Sequence, residues 1–253
     1  MTKKVFIYLG LFLFFGLNGC ASPQTNIASE NKDTMLETYN RAMFSVNRKI
    51  DTYLVRPVVK GYKKVTNESV RTGVRNFFGN IGEPVSAVNH VLQGDIESSG
   101  KNLGRFVVNT TLGMAGLFDV ATAMGLEKNK TGFDETLSTW CIPDGPFIVM
   151  PIIGPSTPRA FTGFAVDGYS SPIYWATKES SDSDADVIYY GLTGLSYINL
   201  MADNIGLLES LEEGSVDYYE AVKSSYLQNR KKLKSCNGED SSLEYDFDMD
   251  MDN

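Results

Sequence analysis

Few side chains in this sequence are equipped to make or break bonds. An imidazole-activated nucleophile would have to use His90, the one histidine in 253 residues. Its neighbours Asn89 and Val91 continue a helical pattern, which is the setting of a surface or part-buried histidine. The three cysteines, Cys20, Cys141 and Cys236, form no C-x-x-C pair, and no G-x-S-x-G elbow, Walker A loop or H-E-x-x-H helix occurs. Asp246, Asp248, Asp250 and Asp252 are spaced like the opening of a calcium loop, but the glycine and glutamate that complete one are missing. A solvated acidic tail is the simpler reading. Arg230, Lys231, Lys232 and Lys234 complement the C-terminal dipole of a last helix, with lipid-headgroup contact as the alternative. No catalytic group, metal or cofactor is expected.

Cys20 is the exception, because its place in the chain implies a covalent fate. Lys3 and Lys4 precede an apolar run from Val5 to Leu17, and Asn18-Gly19-Cys20 closes it. This is a secretory signal, and its end resembles the lipobox of bacterial lipoproteins. On that resemblance residues 1–19 are removed, Cys20 takes a diacylglycerol thioether and its new amine is acylated, for instance by palmitate. Two or more acyl chains hold a protein on a bilayer. Ala21-Ser22 lack the aspartate that retains enteric lipoproteins at the inner membrane, so the outer membrane is the expected address. The longest later stretch without a charge, Val187 to Ala202, spans 16 residues, short of the roughly 20 that a spanning helix needs. The formal charge of −8 argues against nucleic acid as a partner. For Cys141 and Cys236, spacing leaves a disulfide and two free thiols both open.

The elements that would position a site are helical. A polar tether over residues 20–33 leads to Thr34-Met35-Leu36-Glu37, which reads as a capping box. It opens a helix with Met35, Tyr39, Met43, Val46 and Ile50 on one face. Arg56-Pro57 interrupts before a second pattern of Val58, Tyr62 and Val65. A third runs through Val70, Val74, Phe77 and Phe78 to a stop at Gly79-Asn80. Pro84 opens a fourth with Val85, Val88 and Leu92 on one side. Asp95 caps a fifth, whose Ile96, Leu103, Phe106 and Val107 are expected to face inward.

A weaker helical segment covers Leu117 to Leu126, followed by a polar turn from Glu127 to Gly132. Five prolines from Pro143 to Pro158 exclude a long helix there. Ser156 and Pro158 read as the cap and first turn of another helix, and two more run from about Ala185 to Leu211 and from Ser215 to Lys234. Strand-like alternation is almost absent. The expected fold is all-α, a single domain of about eight amphipathic helices over 34–235, before an acidic tail over 236–253 that is expected to be disordered.

Several of these segments form an ordered set: Tyr39-Asn40-Arg41-Ala42-Met43-Phe44, Val55-Arg56-Pro57-Val58, Val74-Arg75-Asn76-Phe77-Phe78-Gly79-Asn80, Glu83-Pro84, Leu92-Gln93-Gly94-Asp95, Arg105-Phe106 with Asn109-Thr110, Phe118-Asp119-Val120-Ala121, Gly145-Pro146-Phe147, and Met150-Pro151 through Gly154-Pro155-Ser156-Thr157 to Arg159. In this order they resemble the VacJ/MlaA lipoprotein family over roughly residues 35–235. The resemblance implies an outer-membrane lipoprotein that removes misplaced phospholipid from the outer leaflet and passes it to a soluble periplasmic lipid carrier, maintaining lipid asymmetry. It also implies a ring of amphipathic helices in the inner leaflet around a polar channel, docked on a trimeric porin.

In that picture Gly79, Gly82, Gly113 and Gly116 permit close helix contacts or bends. Gly145, Pro146, Pro151, Gly154, Pro155, Ser156, Thr157 and Arg159 shape a rigid loop near the channel. The candidate channel liners are Asn40, Asn47, Asn76, Asn80, Asn89 and Asn109, uncharged amides able to contact phosphate without trapping it, although each is also a candidate helix cap or surface residue. A charged headgroup entering hydrocarbon costs several kcal/mol or more, and a polar path lowers that barrier without chemistry. The competing readings are a structural lipoprotein that scaffolds an outer-membrane complex without lipid transfer, and a phospholipase-like hydrolase dependent on His90.

Overall fold

The computed structural model describes residues 27–179, 184–231 and 233. Cys20, the signal segment, the first half of the tether and the acidic tail lie outside them. The expected all-α fold is what the structure shows, with one short hairpin as its only sheet among the described residues. Two compact units divide after Tyr39. The described part of the first is the opening of helix α1 (Ile27–Ile50), with Met35 and Tyr39 exposed. The helix thus begins seven residues before Thr34. No glycine or proline interrupts residues 27–33, so the Thr34 capping box has no chain break to cap.

The remaining elements belong to the second unit. Arg56-Pro57 does not interrupt the chain as expected: α1 widens into a π-helical turn, Asp51–Val55, and continues as α2 (Arg56–Val65) with the proline in its first turn. The proline can donate no N–H to the turn before it, and the ladder widens to a π turn at that point. The stop expected at Gly79-Asn80 is also absent, since α3 runs unbroken from Glu68 to Leu92 with Pro84 inside it. Asn67 caps its start by accepting from the Val70 N–H at 2.9 Å. Asp95 caps α4 (Ile96–Thr111) as expected, accepting from Ser98 N–H at 2.9 Å.

Of the Leu117–Leu126 segment only α5 (Val120–Ala123) is helical, and α6 (Phe133–Thr139) follows. The proline-rich passage folds into strands β1 (Ile148–Met150) and β2 (Gly154–Ser156), antiparallel with Val149 opposite Pro155. Three-residue strands are too short to show alternation, which is why the sequence did not announce them. α7 (Pro158–Ser170) is capped by Thr157, one residue after the expected Ser156. α8 (Pro172–Lys178), α9 (Ala185–Gly214) and α10 (Tyr218–Lys231) complete the chain.

A small apolar core forms where α2 meets α9, with Val59, Ala202 and Ile205 buried beneath Tyr62, Ile198 and Met201. In α3 and α4 the burial is inverted. Ser98, Asn102, Arg105 and Asn109, spaced four, three and four apart on one face of α4, are buried. Ile96, Leu103 and Val107, expected to face inward, are 66%, 49% and 58% exposed. α3 does the same: it buries Asn80, Glu83, Ser86, Asn89 and His90 and exposes Val70, Val88, Val91 and Leu92. For α4 periodicity separated the two faces correctly but assigned the apolar one to the interior, as a water-soluble fold requires; for α3 it set Val88 and Leu92 on one side without a direction. This chain turns that face outward.

Candidate functional site

The inward polar faces of α3 and α4 meet at a cavity of about 160 Å³. Its floor is organised by Arg105, 1% exposed. The guanidinium donates from Nε to Glu83 Oε1 at 3.0 Å, from Nη2 to Asp119 Oδ1 at 3.0 Å and from Nη1 to Thr122 Oγ1 at 3.0 Å, with a further bond from Nη1 to the Leu126 carbonyl. Burial drives the Asp119 carboxyl upward, but hydrogen bonds from Lys128, Thr122 and Asn109 outweigh it and hold the group well below the usual carboxylate range. Lys128 closes this pair from outside at 2.9 Å, and Arg75 donates to Asp203 at 2.6 Å.

Three of the six candidate amides converge here. Asn76 donates to the Leu117 carbonyl at 3.3 Å and accepts from Lys128 at 3.4 Å. Asn80 donates to Thr110 Oγ1 at 2.8 Å, and Asn109 bridges Asp119 and the Ala121 N–H. Gly116 brings the connecting loop onto α3: its φ is +91°, and a Cβ there would lie 2.6 Å from Asn80 Cβ. A side chain is therefore barred twice, by conformation and by space.

The other three amides have different work. Asn40 donates to the Phe147 carbonyl at 3.1 Å and accepts from Val149 N–H at 2.8 Å, while Asn47 donates to the Met150 carbonyl and accepts from Ile152 N–H, both at 2.8 Å. Both ends of each amide are spent on fixing the hairpin to α1, pairing backbone groups that the two short strands leave without partners. Asn89 ties α3 to Thr136 of α6 and Asp167 of α7. His90 is buried, its Nε2 3.1 Å from the Asn129 carbonyl. It holds the loop after α5 in place.

Three comparisons bear on this arrangement. A family model described as MlaA lipoprotein matches residues 31–233. The chain belongs to the MlaA lipoprotein family. The intermembrane phospholipid transport system lipoprotein MlaA of Escherichia coli (strain K12) is 33% identical over 216 residues, covering 84% of this chain and 82% of that protein. A protein of Rickettsia typhi is 32% identical over 196 residues, 77% of this chain and 75% of its own. A solved chain from work on the structural basis for maintenance of bacterial outer membrane lipid asymmetry superposes with a TM-score of 0.61 at 31% identity, covering 77% of this chain and 95% of that one.

In this MlaA-family chain the proline-rich motif serves as a brace. Gly145 has a positive φ, Pro151 to Ile153 turn the hairpin, Gly154 and Pro155 lie in β2, Ser156 is buried and Thr157 caps α7. Pro146 lies in the lead-in to β1. Arg159 donates to Asp134 at 2.9 Å and to the Ile142 carbonyl at 2.8 Å. Arg230, expected to serve the helix dipole, instead reaches across to Asp134 at 2.7 Å and to Asp144. Burial raises the Asp134 carboxyl, and the Arg230 and Arg159 guanidiniums overturn that and lower it.

Sequence reasoning missed Glu83, Arg105, Asp119, Lys128 and Lys130 as site residues. One signal was available: Arg105 lies three and four residues from Asn102 and Asn109, on a single polar face.

Proposed function

We propose that this chain is an outer-membrane lipoprotein that removes misplaced phospholipid from the outer leaflet and hands it to a periplasmic lipid carrier. The observation that carries the reading is the inversion of α3 and α4. Contiguous exposed valines, leucines and isoleucines are unfavourable in water at about 25 cal/mol per Å², but neutral in hydrocarbon. Buried amides and ion pairs, in turn, offer a headgroup the polar surroundings it would lose by entering lipid. Among the described residues no helix is long and apolar enough to cross a membrane, so the apolar faces suit helices lying within one leaflet. The Escherichia coli relative's name, a phospholipid transport lipoprotein, supports the same role. Cys20 supplies the anchor, the lipid path runs through the unit that contains the Arg105 cavity, and a trimeric porin is the docking partner.

The test is surface-exposed phospholipid in cells lacking the gene, measured with an outer-leaflet-specific label. Deletion should raise it, and wild type but not Cys20→Ala should restore it. No rise, in a strain without a second homologue, would move the scaffold reading into first place.

A further inference from the structure

The Arg105 cavity has a basic mouth and an acceptor floor. Arg75 and Lys128 are both 47% exposed along their side chains. Lys130 is an exposed residue whose ammonium reaches over Gly79, 3.0 Å from where a Cβ would stand. Crowding by protein lowers its pKa, opposed by the Glu83 charge. It makes no ion pair or hydrogen bond among the described residues. Arg75 and Lys128 are neutralised by Asp203 and Asp119, which leaves Lys130 as the mouth's uncompensated cation.

On the floor, Asn80 and Glu83 line the same cavity, and Asn80 Oδ1 and Glu83 Oε2 accept no hydrogen bond, in residues only 4% and 1% exposed. Buried acceptors are ordinarily paired. The site therefore asks for a ligand with N–H donors at its inner end and an anion at its outer end, short enough for 160 Å³. An acyl chain does not meet that description. A phosphodiester bearing a two-carbon primary amine does.

We propose that this cavity is a headgroup subsite selective for aminoethyl phosphodiesters, with the ammonium on Glu83 Oε2 and Asn80 Oδ1 and the phosphate at Lys130. The inference rests on the lipid-transfer reading and adds a headgroup preference to it. A glycerol headgroup offers hydroxyl donors but no charge for Glu83, and a trimethylammonium offers charge but no N–H.

The experiment uses the full-length lipidated protein in detergent, equilibrated with vesicles equimolar in phosphatidylethanolamine and phosphatidylglycerol of matched chains. Retained lipid is counted by mass spectrometry. Wild type should favour ethanolamine by about tenfold, the effect of one charge-assisted hydrogen bond. Glu83→Gln should bring the ratio to about one by lowering ethanolamine retention alone, while Lys130→Met should lower retention of both lipids together.

Because Glu83→Gln also weakens the Arg105 pair, wild type is tested in parallel against mono-, di- and trimethylated ethanolamine lipids. Retention should fall with each N–H replaced. A wild-type ratio near one, or flat retention across the methylated series, overturns the subsite. No lipid retained at all overturns the lipid-transfer reading instead. Displacement of retained ethanolamine lipid by soluble glycerophosphoethanolamine supports the shared chemistry, whereas binding of that soluble compound without any lipid retention overturns the lipid headgroup as its source.

Discussion

Replacing Arg105 with methionine removes the cation that holds the α3–α4 interface while conserving most of its volume. Its guanidinium serves Glu83, Asp119, Thr122 and Leu126, and Glu83 is as inaccessible as Arg105 itself. Taking away one partner of a buried pair strands the other charge, at a cost of about 3–5 kcal/mol. For a chain of this size that corresponds to a fall in Tm of about 6–20 °C. Lys128→Ala is the internal control. It removes a bond to the same Asp119, but from a side chain 47% exposed, where solvent screening limits the loss to about 1 kcal/mol or less. Both variants would be melted in the same detergent by circular dichroism. The double variant Arg105→Met with Glu83→Leu should recover part of the loss, because the stranded carboxylate goes with its partner. Equal melting of Arg105→Met and Lys128→Ala would refute the reasoning, since it would mean that the buried face of α4 is hydrated.

The hairpin brace predicts that Asn40→Ala, which deletes two bonds to the Phe147 carbonyl and Val149 N–H, costs about 1–3 kcal/mol and speeds proteolysis of the loop at 145–156, while Asn204→Ala leaves the loop's cleavage rate unchanged. Stability should fall as pH drops below about 4, because Asp119 and Asp134 titrate below their unfolded values and their contribution, complete above that pH, is lost on acidification. Asp167 has the opposite sign, since burial raises its carboxyl: its contribution is largest at low pH and fades as pH rises, so Asp167→Asn should flatten the shallow gain between neutral pH and the acid fall, read by denaturant midpoints across pH. Cys141 is disulfide-bonded, and the proposed lipidation of Cys20 predicts Cys236, outside the described residues, as its partner. Non-reducing peptide mapping should recover that linked pair, and Cys236→Ser should leave Cys141 open to alkylation.

Helices were legible wherever local chemistry decides them. Asp95 announced α4, the prolines from 143 to 158 ruled out a helix, and the motif order from Tyr39 to Arg159 pointed to the family. Interruptions were read too strongly at Arg56-Pro57 and Gly79-Asn80, because a π turn and tertiary packing can carry a helix through residues that would end it in isolation. The direction of the helix faces was not legible at all. The spacing of Leu103 and Val107 separates them from Arg105 and Asn109 but does not state whether water or hydrocarbon lies outside. For the same reason an asparagine beside the cavity and one fastening a hairpin look alike in sequence. Asn80 and Asn40 are told apart only by partners 30 and 107 residues away. Arg230 shows the same limit, its role set by aspartates 86 and 96 positions earlier.

The central claim is that this chain turns its apolar helix faces to lipid and its polar faces inward. A photoreactive diazirine amino acid placed singly at Val88, Leu103 and Val107 in the lipidated protein, irradiated in intact outer membranes, tests it directly. Apolar faces turned to lipid should give phospholipid acyl-chain adducts at all three positions by mass spectrometry, and none at Asn102. Water addition or protein crosslinks alone at Leu103 and Val107 would contradict it.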